Sequence, residues 1–424
     1  MNGAPKKHIV IAGVGFAGLH AYERLDRFLE AGDNVEITLI NRGDAFTFIP
    51  MIHEVGTGLL QPAAITQPIR LLPKRFFRDF IDGNVVSVDA DAQTVFVERS
   101  EGFTETIHYD YLILGLGSRA DFMGIPGASD NSYPLRTLTD ARRLKNRVLE
   151  CFDKADVVSD DKLQKDLIRF VVVGGGATGV EVAGELSDLI SNEMTRAFPR
   201  LASRGQVVLV ERNERLIKEA SETMSKRVKE HLERWTCVDV RTGVGVEQVT
   251  ENGVALDTGF LDSKTVIWCA GVSAVPTRIE AKKPITRDEK LGRIAVTRFL
   301  NTGSYPNLFI VGDQALVMNV QTDRPYGMRA QFATEEGKCA AHNIIASIRG
   351  RNLEQFSWTD RGTIISLGKS GALADIDGFH FSGFLARIIY RVAYLYAISG
   401  VRAKLRTALE WSLNLFTPRD ISKI

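Results

Sequence analysis

The chain has 424 residues, which is too long for one ordinary domain and suits two or three. Hydrophobic residues make up 44% of the sequence and charged residues 25%, so an intrinsically disordered chain is excluded. The formal net charge of +1 gives no reason to expect a nucleic-acid partner. The 4 cysteines and 7 histidines stand without CxxC or metal-ligand spacing, so we expect neither a disulfide framework nor a bound metal.

The N-terminal segment enters a predicted strand by His8 and shows no secretory hydrophobic region. No run approaches the roughly 18 uninterrupted apolar residues that a membrane-spanning helix requires. We therefore expect a protein that neither crosses a membrane nor leaves the cytosol.

The first predicted element is a buried parallel strand from His8 to Ala12, followed by a glycine-rich loop and a helix beginning near Phe16. Glycines let a backbone approach a pyrophosphate, and a helix N-terminus offers free N–H groups. The residues expected to hold this dinucleotide are Gly13, Gly15, Phe16, Ala17 and Gly18. A second strand, Val35 to Ile40, ends at Asn41 and Arg42, where a carboxylate usually binds the ribose hydroxyls. Asn41 can still exchange hydrogen bonds with a diol.

The same pattern recurs after a predicted strand from Arg169 to Val173. Its loop and helix start are formed by Gly174, Gly176, Ala177, Thr178 and Gly179. The next strand ends in Glu211, a carboxylate that favours NADH over NADPH, although Arg212 and Arg215 nearby soften that preference. One such loop could be a plain structural turn. Two, each between a strand and a helix, predict two bound dinucleotides.

Three later strands also end on glycine. Tyr111 to Leu114 leads to Gly115 and Gly117, and Thr265 to Cys269 leads to Ala270 and Gly271. The third is the segment NLFIVGDQA, which closes on Gly312 and Asp313. We expect these strand ends to return the chain to the two ligands. For Asp313 a plain turn aspartate is the alternative.

The C-terminal region combines a helical apolar stripe from Phe381 to Tyr396, a second apolar stretch from Leu405 to Phe416, and Trp411 as an expected interface residue. Residues 379–424 contain seven Lys or Arg residues against Glu410 and Asp420, although the whole chain carries only +1. This combination predicts helices that lie on an anionic membrane surface. A core or dimer-forming helix pair is the alternative.

On these features the chain resembles the type II NADH dehydrogenases, from His8 almost to the C-terminus. Beyond the glycine loops the match includes FTFIPMIHEVGTGLL (46–60), GGGATGVEVAGEL, WCAGV, FIVGDQA and the basic apolar tail. The resemblance implies FAD on the first loop, with Gly117 and Asp313, and NADH/NAD on the second, with Ala270 and Gly271. It also implies an enzyme that pumps no protons and transfers hydride from NADH to FAD and then two electrons to a membrane quinone.

The fold class implied is α/β, with two Rossmann-like dinucleotide-binding domains and a C-terminal cap of amphipathic membrane-facing helices. The expected FAD domain comprises 1–118 and 272–345, the NAD(H) domain 119–271, and the cap with the membrane-association region 346–424. The protein is expected to be peripheral, on the cytoplasmic side of the cell membrane, with a homodimer contact in the same region.

The resemblance assigns Glu181 to positioning the nicotinamide and delivering a proton to the quinone. A first-turn glutamate stabilised by the helix dipole is the alternative. Ala330 and Gln331 match a pair that meets the flavin ring, and the tentative quinone site is Gln331, Glu335 and Glu336. The two glutamates stand where the family often carries glutamines, and a carboxylate donates to a quinone carbonyl only when protonated.

Other flavin enzymes of this superfamily fit the sequence less well. No close cysteine pair exists, which excludes a dithiol relay, and a sulfide:quinone reductase would depend on the isolated Cys151 and Cys339. The alternative function that stays open is an NAD(H)-binding flavoprotein with a non-quinone acceptor or a redox-sensing role.

Overall fold

The computed structural model describes residues 5–201, 203–359, 362–369 and 371–423, and the chain divides into two compact units. The first unit comprises Met1–Phe46, Gln67–Arg119 and Val272–Thr359. The second comprises Thr47–Thr66, Ala120–Gly271 and Asp360–Ile424.

These units differ from the domains expected from the sequence in two places. Residues 47–66 group with the second dinucleotide-binding sheet and not with the first. The expected cap at 346–424 is not a separate unit, because its first part belongs to the first unit and its part from Asp360 onward belongs to the second.

The first unit is built on a nine-stranded sheet whose five central strands are parallel. Its strand order is Asn301–Thr302, Tyr305–Ile310, Tyr111–Leu114, Lys7–Ala12, Val35–Asn41, Phe77–Asp89, Thr94–Arg99 and Thr104–His108, with Arg278–Glu280 paired to Phe77–Asp89. The central strands are continuous apolar runs because helices cover both faces of a parallel sheet. Ile9, Val10 and Ile11 are accordingly fully buried.

Two helices of the first unit, Phe16–Phe28 and Ala330–Ile348, pack directly against each other. Gly337 lies at their crossing, where a Cβ atom would overlap the backbone of Ala17. The absence of that side chain lets the two backbones meet, so the helix that follows the first glycine loop is held firmly in place.

The second unit contains a five-stranded parallel sheet and two antiparallel three-stranded sheets. The parallel order is Ser132–Pro134, Thr265–Trp268, Arg169–Val173, Gln206–Glu211 and Val238–Thr242. The antiparallel sheets are Val246–Thr250, Gly253–Leu256 and Gly259–Asp262, and Thr363–Ser366, Ala372–Ile376 and Phe379–Ser382.

The helices of the second unit begin with Ile52–Gly56, Ala128–Asn131, Leu138–Val157 and Asp161–Leu167. They continue with Ala177–Leu189, Thr195–Ala197, Glu222–Leu232, Gly383–Ala397 and Val401–Leu413. A π-helical turn, Ile190–Met194, joins Ala177–Leu189 to Thr195–Ala197. Because a π turn inserts an extra residue, it rotates the side chains that follow and brings Glu193 to the face that carries Asp188.

The remaining elements are short. The strands are Ala45–Thr47, Thr66–Pro68, Ser118–Ala120, Val272–Ala274, Ile294–Ala295, Ala315–Leu316, Met318–Asn319 and Arg324–Pro325. The 3-10 turns are Ala31–Asp33, Ile49–Met51, Pro62–Ala64, Ile69–Leu71, Pro199–Leu201 and Gly312–Gln314.

Helix Gly383–Ala397 has an unusual distribution of side chains. The residues that it buries are Ala386, Arg387 and Tyr390, whereas most of its apolar stripe is exposed, namely Phe384, Leu385, Ile388, Val392 and Tyr396. A surface helix of a globular protein normally buries its apolar residues. Within the described part of the chain, no helix is both long enough and apolar enough to span a bilayer.

Candidate functional site

The first glycine loop is tightly closed on one side and open on the other. Gly13 directly follows strand Lys7–Ala12 with a φ of +95°, and a Cβ atom there would overlap the backbone of Gly115. A Cβ atom on Gly18 would overlap the carbonyl of Gly13, so the helix starts in direct contact with the loop. Apart from Gly15 and its two chain neighbours, no residue that the structure describes has an atom within 4 Å of the position that a Cβ on Gly15 would occupy, which leaves the backbone open to a ligand.

The second glycine loop repeats this geometry. Gly174 has a φ of +105°, and a Cβ atom there would overlap the backbone of Ala270. A Cβ atom on Gly179 would overlap the carbonyl of Gly174, whereas a Cβ on Gly176 would meet no atom of the described residues beyond its chain neighbours within 4 Å. Thr178 is half-buried and Ala177 is exposed at the helix start. In each loop, two glycines therefore allow close backbone packing that fixes the loop, and a third glycine leaves the backbone accessible.

The last residues of strands Val35–Asn41 and Gln206–Glu211 stabilise the two glycine loops in the same way. The Val14 N–H donates to Asn41 Oδ1 at 2.9 Å, and the Gly175 N–H donates to Glu211 Oε2 at 2.5 Å. Asn41 thus provides the acceptor oxygen that a carboxylate supplies in the other loop. This explains why the amide fits the position, while the neighbouring Arg42 is exposed.

The strand ends of the first unit are connected by a residue that the sequence did not single out. Gln314 is buried, accepts the Leu116 N–H at 2.8 Å and donates to the Val275 carbonyl at 3.0 Å. The Ser118 hydroxyl donates to Asp313. Gly117, at a φ of +76°, lies in the loop held by these contacts, whereas Gly115 makes the close approach to Gly13.

The three residues of the tentative quinone site have different surroundings. Gln331 is exposed near the start of helix Ala330–Ile348. Glu335 forms an ion pair with Lys338 at 2.7 Å. Glu336 is buried and accepts the Gly312 N–H at 2.6 Å, and burial raises its pKa to about 8.

In the second unit, Ala270 and Gly271 lie shortly after the end of strand Thr265–Trp268. The Gly271 carbonyl accepts the Asp121 N–H at 3.3 Å, and Trp268 donates from Nε1 to the Asp121 carbonyl at 2.8 Å. These bonds hold the strand end in place, and Ala270 lies directly beside Gly174.

Glu181 is buried on the first turns of helix Ala177–Leu189. One carboxylate oxygen lies 3.5 Å from His53 Nδ1, and the other accepts the Ser366 N–H at 3.5 Å. Burial raises the pKa of Glu181 to about 7, although His53 acts in the opposite direction. A carboxyl group in this environment exchanges protons near neutral pH.

A network of buried polar side chains surrounds Glu181. The Glu54 carboxylate accepts from the Tyr390 hydroxyl at 2.8 Å and from Trp411 Nε1 at 2.7 Å. Trp411 is thus a core residue and not the interface residue expected from the sequence, because its N–H is needed by a buried carboxylate.

Arg419 contributes a buried positive charge to this network. It lies 2.7 Å from Glu185, pairs with Asp188 and Glu193, and donates to Thr57 Oγ1 at 3.0 Å. A buried guanidinium requires such partners because an isolated buried charge is strongly destabilising.

Sequence reasoning did not identify His53, Glu54, Arg387, Tyr390 or Arg419 as site residues. A signal for the first two was present, since they interrupt an otherwise apolar segment at residues 46–60. Charged side chains in a buried segment require partners, and those partners lie far along the chain.

Residues 7–337 match the model of the pyridine nucleotide-disulphide oxidoreductase family. The type II NADH:quinone oxidoreductase Ndh of Mycobacterium tuberculosis is 31% identical over 427 residues, covering 98% of this chain and 89% of the relative. A probable NADH dehydrogenase of Dictyostelium discoideum is 28% identical, covering 98% and 90%. The solved structure of NDH2 from Plasmodium falciparum in complex with NADH has a TM-score of 0.89, at 18% identity and 99% and 100% coverage, and shows a likeness of fold. The chain therefore belongs to the type II NADH:quinone oxidoreductases, within the pyridine nucleotide-disulphide oxidoreductase family.

Proposed function

We propose that the protein is an NADH:quinone oxidoreductase that binds FAD on the first glycine loop and NADH on the second. The observation that carries this proposal is the repeated loop geometry, in which two glycines close each loop and a third leaves the backbone open. The family to which the chain belongs is the one that its sequence resembles. Since its relative in Mycobacterium tuberculosis is an NADH:quinone oxidoreductase, this membership supports a quinone as the electron acceptor.

The residues of the first unit fit a flavin dinucleotide. Gly15 and the N-terminus of helix Phe16–Phe28 offer backbone N–H groups to a pyrophosphate. Asp313, held by Ser118, supplies a carboxylate for the ribityl chain. When bound, FAD supplies the two-electron chemistry that links NADH to the quinone.

The residues of the second unit fit NADH in the same manner. Gly176, Ala177 and Thr178 form the open helix start, and Glu211 lies beside it. One Glu211 oxygen is engaged by the loop, and the other accepts the Asn213 N–H at 2.7 Å. The carboxylate places negative charge where the additional phosphate of NADPH would lie, so we assign a preference for NADH.

Glu181 is assigned as the catalytic proton donor. Its carboxyl group is buried, lies in the unit that binds NADH, and keeps its proton to about pH 7. Two-electron reduction of a quinone to a quinol requires one proton beyond the hydrogen that NADH provides. A buried carboxyl group that titrates near neutral pH is suited to supply it.

The two C-terminal helices are assigned to a membrane surface. Phe384 and Tyr396 of the first helix are 80% and 86% exposed, and Phe416, which lies just after the end of the second helix at Leu413, is 89% exposed. The other exposed apolar side chains of this face are Leu385, Ile388, Val392, Val401, Leu405, Leu409, Leu413 and Leu415. Arg402 and Lys404 stand beside them, which suits an anionic lipid surface. We place this face on the cytoplasmic side of the cell membrane, with a homodimer contact as the competing use of the same surface.

The test is steady-state oxidation of NADH by the purified holoenzyme with a soluble ubiquinone or menaquinone analogue. We expect quinone-dependent oxidation of NADH and a lower kcat/KM for NADPH. Oxidation that does not depend on the quinone would reject the acceptor and favour the non-quinone alternative.

A further inference from the structure

Three carboxylates lie close to His53, and two of them are fully engaged by other partners. A His53 ring nitrogen and one oxygen each of Glu54 and Glu185 lie within 4.8 Å of one another. Both Glu54 oxygens accept hydrogen bonds, from Tyr390 and Trp411. Glu185 is paired with the Arg419 guanidinium. Both carboxylates are therefore already held by other side chains.

Glu181 is the carboxylate without such partners. Its contacts to His53 and to the Ser366 N–H are both 3.5 Å long, and neither partner is a permanent cation. The His53 ring is 1% exposed, and its Nε2 has no hydrogen-bond partner among residues 5–201, 203–359, 362–369 and 371–423. One ring nitrogen therefore faces Glu181, while the other makes no hydrogen bond within the described part of the chain.

We propose that His53 and Glu181 form a proton relay. Glu181 gives its proton to the quinone, and His53 then supplies Glu181 with another proton. This inference rests on the proposed quinone reductase function. His53 acts through Glu181 and is thus a positioning and relay residue, whereas Glu181 meets the substrate.

The reaction balances as NADH + H⁺ + quinone → NAD⁺ + quinol. NADH loses two electrons and one hydrogen, and the quinone gains two electrons and two hydrogens. The second hydrogen comes from the Glu181 carboxyl group, whose O–H bond breaks as the quinol O–H bond forms. The His53 N–H bond then breaks to restore the Glu181 proton, and the H⁺ on the left of the equation replaces that proton on His53.

The remaining groups around Glu181 do not replace His53 in this role. The titratable and charged groups that face it are His53 and Glu54 from helix Ile52–Gly56, Glu185 from its own helix, Cys269 after strand Thr265–Trp268, and Tyr390, Tyr394 and, through Ser366, Arg387 from helix Gly383–Ala397. Burial raises the pKa of the Cys269 thiol to about 12 and that of the two tyrosines well above its ordinary value. These three groups stay protonated at neutral pH.

The experiment compares His53→Gln, Glu181→Gln and the double variant as holoenzymes. Glutamine keeps the polar contact but carries no exchangeable charge. We expect His53→Gln to slow quinone-dependent oxidation of the reduced enzyme at least about tenfold, with flavin reduction by NADH unchanged. In the Glu181→Gln background the second substitution should add little, because the two residues act in series.

A second readout does not depend on turnover. The infrared C=O band of the Glu181 carboxyl group, assigned by its loss in Glu181→Gln, is titrated against pH in the oxidised enzyme. Because His53 lowers the pKa of Glu181, its removal should move the titration midpoint to higher pH. The control is His342→Gln, which breaks an exposed histidine–glutamate pair of the same 3.5 Å separation and should change neither readout.

Additive losses in the double variant, or an unchanged rate and midpoint in His53→Gln, would overturn the relay. If quinone does not oxidise the reduced wild-type enzyme, the proposed function fails instead. The infrared titration then still decides whether the two residues share a proton.

Discussion

At the residue scale, the structure shows how one task is performed by two different side chains. Asn41 and Glu211 both accept the N–H of the second residue of their loops, at Val14 and Gly175. The sequence identified both positions but presented Asn41 as a departure. The departure is small because the bond to the loop needs only an acceptor oxygen, which an amide and a carboxylate share.

The same reasoning applies to Glu336, where the resemblance leads one to expect glutamine. A glutamine oxygen would also accept the Gly312 N–H. Unlike an amide, however, the carboxyl group of Glu336 can lose a proton and become charged. Its native pKa, about 8, lies above the unfolded value because burial disfavours the charge. The native state therefore binds more protons than the unfolded state between the two pKa values, and the stability contributed by Glu336 is lost as pH rises through that range.

We predict that the Glu336→Gln variant is almost as stable as the wild type at about pH 5 and more stable than the wild type at about pH 9. The gain should be about 1.4 kcal/mol for each unit by which the native pKa exceeds the unfolded value. Thermal unfolding of the holoenzyme at both pH values measures it.

The matched control is the neighbouring Glu335→Gln, which removes only a half-exposed pair with Lys338 and should change stability by less than about 1 kcal/mol at either pH. Equal pH dependence of Glu336→Gln and the wild type would contradict the buried titration.

At the scale of elements, the apolar periodicity predicted two C-terminal helices with an outward-facing apolar stripe, but it did not predict which polar residues these helices bury. Helix Gly383–Ala397 buries Arg387 and Tyr390 because Ser366 and Glu54 supply their hydrogen-bond partners. Those partners come from segments that no local pattern connects with this helix. Because this polar face of the helix is buried, the apolar stripe on the other face is left exposed.

We predict that replacing Phe384, Tyr396 and Phe416 by serine abolishes binding to vesicles of anionic lipid. Each large side chain that leaves the lipid costs about 1.5–3 kcal/mol, or at least tenfold in affinity. Activity with a soluble quinone analogue should persist, since these residues lie outside the Glu181 network. Vesicle flotation measures the binding.

Phe103→Ser, which removes a 69% exposed phenylalanine elsewhere on the surface, is the control and should bind vesicles like the wild type. Retained flotation of the triple variant would argue against a membrane face. Loss of a dimer in place of lost flotation would assign the same surface to self-association.

At the scale of the whole molecule, the sequence predicted the two parallel sheets because each is signalled by a local strand–glycine–helix pattern. It did not predict that residues 47–66 join the second unit. That grouping depends on contacts such as those of Glu54 with Tyr390 and Trp411, which are 336 and 357 residues away along the chain. Arg419 illustrates the same limit, because only the folded chain brings it to Glu185.

The central claim is that one chain accepts electrons from NADH on one loop and passes them to a quinone. The measurement that tests it most directly is anaerobic stopped-flow absorbance of the flavin, first with NADH and then with a quinone analogue. We predict bleaching by NADH and rapid recovery with the quinone. Gly176→Ala should retain the flavin but bleach more slowly at low NADH, because the added methyl overlaps none of the residues that the structure describes and obstructs the pyrophosphate. Bleaching without recovery would contradict the quinone reductase assignment.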